Sequence, residues 1–355
     1  MLYYNNRTNF SNSYLICDMI ISVKKTIVLE NERGMKVTFS PLGASLLDIG
    51  LKMKNGHMRN VALRPKALAD FASSKGYYGK TIGRYSGRLK DSKLAIDGIE
   101  YKILETKRNS GLHGGDHGLS NALFDYEKIG NSQGKGLIFS YQMPHLFDGL
   151  PGNLQVFITY LLHDDANLLE IRYQAKSDHD TICNLTNHTY FNLDGRGCIL
   201  NHELMIAAQK YAEVDEDLMP NKVLLVDEVM DFSQGRKIGT HIAASNFSCI
   251  TRGYDHPYIL DNPSLLIPSA QLTSSNKDLS LNIYSTYPCL VFYSGNYPTS
   301  EAMTLTKKMQ KHGALALEPQ YLPNAINNPF GQTKTGFLKA GSLYQETIIY
   351  EFVIR

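Results

Sequence analysis

Leu154-Gln-Val-Phe-Ile-Thr-Tyr-Leu-Leu162, followed after five residues by Leu168-Leu-Glu-Ile-Arg-Tyr-Gln174, reads as two consecutive β-strands. Both runs are short and rich in β-branched and aromatic residues, and the first is entered through a Pro151-Gly152 break. The same rhythm extends in both directions: Thr26 to Glu30, Met35 to Phe39, Leu46 to Met53, Leu94 to Tyr101, Gly136 to Tyr141, Leu281 to Tyr284, Leu290 to Tyr293 and Thr347 to Ile354. Asn55-Gly56, Asp97-Gly98 and Gly134-Lys-Gly136 punctuate it as turns. Helical patterning is scarce, with one or two turns expected at Ala67 to Ser73 and at Ser300 to Thr306. Many short strands at regular spacing predict an all-β protein, a large sandwich or barrel. There is no fixed-period repeat of the propeller or solenoid kind. No linker-like composition divides the chain, so residues 26–355 are expected to form one domain behind a poorly patterned leader, residues 1–25.

The totals fit a globule and exclude several classes. The chain has 355 residues, with 43% hydrophobic and 20% charged, enough to bury a large core. Net charge is +2 from 36 basic and 34 acidic residues, so neither nucleic acid nor an acidic membrane surface is an expected partner. The cysteines, Cys17, Cys183, Cys198, Cys249 and Cys289, are odd in number and dispersed, as expected of free thiols in a reducing compartment. The apolar run Tyr14 to Val23 is broken by Cys17-Asp18 and is too short to span a bilayer. A cytoplasmic location is therefore expected.

Five stretches depart from the structural pattern. Asn184-Leu-Thr-Asn-His188-Thr-Tyr-Phe-Asn-Leu-Asp-Gly195 reads as a strand studded with amides. Buried amides need partners, which suggests a strand lining a polar pocket, with His188 suited to proton transfer near neutral pH or to a satisfied structural network. Gly83-Arg84-Tyr-Ser-Gly-Arg88 presents two guanidinium groups near glycines, fit for sugar hydroxyls, an anion or a salt bridge. Leu112-His113-Gly-Gly-Asp116-His117 places histidine on irregular backbone; its spacing matches no metal signature, and no metal is expected. Tyr254-Asp255-His-Pro257 holds a carboxylate on a constrained loop. Leu315-Ala-Leu-Glu318-Pro319-Gln320 delivers Glu318 at the end of an apolar strand that Pro319 stops. A carboxylate desolvated there has its pKa raised toward neutrality, as a general base requires.

Taken together and in order, GRxxxR, LHGG, NLTNHTYFNL, YDH and LEPQxxPxA resemble the aldose 1-epimerases (galactose mutarotases), from about Thr26 to Arg355. Phe292-Tyr-Ser-Gly-Asn296 resembles the FYTGN strand of that family. The resemblance implies a β-supersandwich of two large antiparallel sheets and interconversion of the α and β anomers of free hexoses, galactose or glucose. It implies His188 as general acid, Glu318 as general base, His113 as a second substrate-contacting group, and Asp255 and Arg88 as sugar-hydroxyl ligands. It implies a small sugar substrate, no cofactor, and a monomer or homodimer. Departures are Gly87 where many members have Asn, Val291 where many have Gln, and the absence of the Trp that often follows LHGG, for which Phe124 is the candidate. Two alternatives stand beside this reading: a hexose-6-phosphate 1-epimerase, kept open by Arg84 and Arg88, and a non-catalytic carbohydrate-binding protein of the same fold.

Overall fold

A computed structural model describes residues 25–103, 111–244 and 250–355. The leader lies outside the described residues except for Lys25, as do Cys17 and Cys249. The two quoted strands, Leu154–His163 and Leu168–Ser177, pair antiparallel, with Tyr160 opposite Ile171. They form the middle of a nine-stranded sheet whose order continues from Asp125–Asn131 and Gly134–Met143 on one side to Tyr344–Ile354, Leu279–Ser285, Ala270–Thr273, Glu203–Ile206 and Arg236–Lys237 on the other. A seven-stranded sheet runs Pro220–Leu225, Lys210–Val214, Asp255–Ile259, Cys289–Tyr293, Leu315–Gln320, Tyr190–Phe191 and Ala62–Leu63. A four-stranded sheet (Ile27–Glu30, Lys36–Ser40, Ser45–Lys52, Met58–Asn60) completes the layer over the core.

Side-chain alternation explains the sandwich. Val156, Ile158, Tyr160 and Leu162 are fully buried on one face, as are Ile171 and Tyr173 on the neighbouring strand, whereas Gln155 and Arg172 on the other face are exposed. That buried face meets Leu290, Phe292, Leu315 and Leu317 of the seven-stranded sheet and Val37, Phe39 and Ile49 of the four-stranded one in a single core. Each such side chain contributes roughly 1.5–3 kcal/mol of burial. Phe191 meets Tyr350 edge to face across the layers, 5.3 Å between ring centres. The Tyr160 hydroxyl donates to the Ala44 carbonyl at 2.8 Å, and Arg59 forms a two-pronged pair with Asp278 at 2.9 and 2.7 Å.

Helix is as sparse as expected. Leu68–Ser73 is helical. Ser300 to Thr306 is not, because its backbone bonds laterally: Lys66 N–H donates to Ala302 and Thr304 N–H to the Arg64 carbonyl. Among the described residues no helix is long and apolar enough to cross a membrane.

Two buried cations test the packing. Arg84 is fully buried, donating through Nε to Asp148 at 3.0 Å and through Nη1 to the Pro151 and Gly152 carbonyls and Thr181 Oγ1. Removing one member of such a pair strands the other charge, so Arg84→Met should destabilise by about 3–5 kcal/mol in urea unfolding. Lys80 is 1% exposed and, among the described residues, has no ion-pair partner; Asn121 Oδ1 lies 3.5 Å from its Nζ and the Phe71 ring 5.3 Å away. Burial lowers its pKa from 10.5 to about 8. The unfolded chain then binds more protons between those values, so this site's contribution to stability rises with pH from about 8 to 10.5. Lys80→Met should raise the melting temperature at pH 7, and by less at pH 10.

Candidate active site

The face of the seven-stranded sheet turned away from the core floors a groove of about 740 Å³. Period-2 alternation puts Glu318 and Gln320 in the groove while Leu315 and Leu317 enter the core. On the next strands Val291 and Tyr293, then Asp255 and Pro257, face the same way. Register aligns Pro257, Val291 and Glu318 in one row and Asp255, Tyr293 and Ala316 in the next. The whole Leu315–Gln320 strand is therefore buried, one face by the core and one by the groove walls.

Glu318 lies inside this strand, not at its end, and Pro319 does not stop the ladder: Pro319 pairs with Leu290 and Gln320 with Cys289. On the strand's other side, the Tyr190–Phe191 strand meets Ala316 and Leu315, and among the described residues no strand pairs with that edge beyond Ala316, so proline is tolerated. Asp255 likewise begins a strand, Asp255–Ile259, and is not on a loop.

The amide-rich stretch is not one strand. Thr186–Asn187 pairs with Thr81–Ile82, and Tyr190–Phe191 pairs with Leu315–Ala316 and Ala62–Leu63. Between them the chain turns, because Asn187 Oδ1 accepts the Thr189 N–H at 3.1 Å and the Thr189 hydroxyl at 2.5 Å. The His188 backbone bonds to Lys80 and Gly79 instead of continuing a ladder. The asparagines do not line the groove. Asn184 bonds reciprocally with the Tyr321 backbone at 3.2 and 2.9 Å, Asn187 donates to the Gly79 carbonyl at 3.0 Å, and Asn192 donates to the Gly313 carbonyl at 2.8 Å. They are brackets that leave His188 projecting into the groove.

His188 Nε2 stands 3.6 Å from Glu318 Oε1, with both side chains buried. The imidazole is stacked on Tyr190, 4.9 Å between ring centres, and lies parallel to Tyr77 at 6.0 Å. His113 meets it edge-on at 5.3 Å. The His113 backbone takes a positive φ of 53°, and Gly114 follows at 84°, where a Cβ would fall 2.1 Å from the Gly83 carbonyl oxygen. That close approach lets the Gly87 N–H donate to His113 Nδ1 at 3.1 Å. An acceptor at Nδ1 places the neutral ring's proton on Nε2. Arg88, Gln320, Tyr77 and Asp255 are also among the polar lining, so the structure brings Glu318, His188, His113, Asp255 and Arg88 to one groove.

Burial dominates the electrostatics. It pushes the Glu318 carboxyl well above the ordinary glutamate range, and the Asp255 charge pushes the same way. Burial raises Asp255 to about 6 against the opposing pull of Arg88. It lowers His188 to about 4 and holds His113 well below its usual value, with His188 and Arg88 adding repulsion. Glu318 Oε2, Gln320 Oε1 and His188 Nδ1 are buried with no hydrogen-bond partner, an arrangement suited to a hydroxyl-rich ligand. The donor atoms of His113, His188 and Glu318 lie within 4.8 Å of one another, close enough to suggest a divalent ion. The set fits one poorly, because the His113 nitrogen left after the Gly87 bond carries a proton.

Two residues expected at the site are elsewhere. Arg84 is committed to Asp148 in the interior and offers the groove nothing. Phe124 packs in the core, 5.4 Å from Tyr141. Tyr77, Tyr190 and Gln320 were not anticipated. Tyr190 and Gln320 stand in the quoted motifs beside His188 and Glu318, where alternation along a strand was the available signal; Tyr77, at a positive φ of 56°, carried none.

The aldose 1-epimerase family model matches residues 25–351. The aldose 1-epimerase of Escherichia coli K12 is 31% identical over 336 residues, covering 93% of this chain and 95% of the relative. The galactose mutarotase of Rattus norvegicus is 30% identical over 317 residues, covering 88% of this chain and 89% of the relative. Among solved structures, the galactose 1-epimerase of Lactobacillus acidophilus NCFM superposes with a TM-score of 0.82 at 26% identity, covering 93% of this chain and 94% of that one. With a family match over nearly its whole length and relatives of that family at about 30% identity over most of the chain, this chain belongs to the aldose 1-epimerase family.

Proposed function

We propose that this isomerase interconverts the α and β anomers of free hexoses, galactose or glucose, with Glu318 as general base and His188 as general acid. The observation that carries the reading is the buried contact of 3.6 Å between Glu318 Oε1 and His188 Nε2. Burial disfavours charge on both, so the pair holds one proton, which rests on Glu318. Its transfer to His188 leaves a carboxylate and an imidazolium. The carboxylate then takes the proton of the C1 hydroxyl as the imidazolium protonates the ring oxygen. The C1–O5 bond breaks, the aldehyde turns about C1–C2, and the ring recloses on the other face with the two groups in exchanged roles. The Nε2–H of neutral His113 donates to a substrate oxygen, while Asp255 and Arg88 hold hydroxyls. Each proton transfer is worth roughly 10²- to 10⁴-fold.

The names of relatives, galactose mutarotase and galactose 1-epimerase, support galactose as a substrate. The hexose-phosphate alternative loses the support of Arg84, whose guanidinium is buried against Asp148. The binding-protein alternative is disfavoured by an acid/base pair kept in contact. We place residues 26–355 in one catalytic unit, a monomer or homodimer acting in the cytoplasm; the free Cys183, Cys198 and Cys289 support that compartment.

Polarimetry of freshly dissolved α-galactose should show relaxation well above the spontaneous rate. Glu318→Gln should cut kcat by at least about 10²-fold while retaining sugar binding by calorimetry; a variant as active as the parent would remove Glu318 as the base. The pH profile offers a second check. The proton the pair must hold rests on Glu318, so activity is lost as pH rises through the raised pKa of that carboxyl, and the alkaline limb of kcat/KM should lie well above the ordinary glutamate range. Asp255→Asn removes a charge that raises it, so the limb should move to lower pH while KM rises.

A further inference from the structure

One wall of the groove offers a sugar nothing to bond with. Val291 stands directly opposite Glu318 in the ladder, and Pro257 directly opposite Val291. Outward from them, Val214 pairs with Pro220, and Leu218 lies in the turn between. All five side chains line the groove. None carries a polar atom, and Pro257 and Pro220 lack even a backbone N–H. The buried unpartnered polar atoms of the lining belong to Glu318, Gln320 and His188, and its acidic and basic side chains are Lys75, Arg88, Asp255, Glu301 and Glu318, so polarity surrounds this wall but does not enter it. The neighbouring Tyr293 hydroxyl already accepts the Asn296 N–H at 3.0 Å.

A substrate whose C1 hydroxyl meets Glu318 must lay some carbon against Val291. A hydroxyl on that carbon would leave water and gain no partner, whereas a hydrogen or methyl there would be buried favourably. Resting on the assignment of Glu318 as the base, we infer that Val291 is a specificity-determining residue and that the groove takes deoxyaldoses, sugars lacking the hydroxyl that would face this wall, at least as well as their fully hydroxylated parents.

The test is a panel of galactose and its 2-, 3-, 4- and 6-deoxy derivatives, with kcat/KM measured by polarimetry for the wild type and for Val291→Gln and Val291→Thr. In the wild type, one monodeoxy sugar should equal or exceed galactose, while loss of the hydroxyls held by Asp255 and Arg88 slows others. In Val291→Gln that favoured sugar should fall by about tenfold or more relative to galactose, because the new buried amide finds no hydroxyl. Val291→Thr has nearly the shape of the parent and should move the ratio in the same direction, which separates selectivity from damage to the fold. The inference is overturned if every monodeoxy sugar trails galactose by tenfold or more, or if both variants change all sugars by one factor. Turnover of galactose with either result leaves the epimerase reading intact; no turnover of any sugar by the wild type overturns both.

Discussion

Side-chain amides competing with the β-ladder place His188 beside Glu318. Asn187 captures the Thr189 backbone, so the chain leaves its pairing with Thr81–Ile82 and re-enters pairing beside Leu315–Ala316. His188 lies in the gap. Asn184 clamps the Tyr321 backbone from both sides, tying the end of the Glu318 strand to the same segment. Without these brackets the stretch would continue as a strand and alternation alone would decide where His188 pointed. With them the imidazole stands 3.6 Å from Glu318. The asparagines thus contribute to chemistry by satisfying backbone groups, not by touching a ligand.

Dryness is the second constraint. The Leu315–Gln320 strand is covered on both faces, so Glu318 is desolvated by its own fold. Its direct neighbour across the ladder is Val291, with Pro257 next beyond it, and neither side chain supplies a compensating donor. This apolar row adds to the burial that raises the carboxyl's pKa. His188 is driven the opposite way by the same burial. Charge in the interior is handled differently at Arg84, whose Nε and Nη1 donate to Asp148 and three further oxygen acceptors. That site is for stability; the groove keeps its polar atoms unsatisfied until a ligand arrives.

Much of this was legible in the chain itself. Period-2 runs between turn signals identified the strands, and the order of five polar motifs identified the family and the groove residues Glu318, His188, His113, Asp255 and Arg88. The misreadings share a cause. Pro319 was expected to end a strand and instead lies within one, because the sequence does not show which side of a strand lacks a partner. Arg84 and Arg88 were indistinguishable as arginines near glycine, yet one faces Asp148 in the interior and the other faces the groove. Phe124 was suited to a ligand wall by type but belongs to the core.

Local pattern therefore determined the class of fold, the residue types needed for acid/base chemistry and the family. These follow from alternation, turn propensity and side-chain chemistry, which act over a few residues. Tertiary structure alone decided which polar groups share a cavity, which are consumed by the framework, and how far burial moves their protonation. Those depend on contacts such as Asn184 with Tyr321 and Glu318 with His188, more than a hundred residues apart in the chain, and on water excluded by both faces of a strand at once.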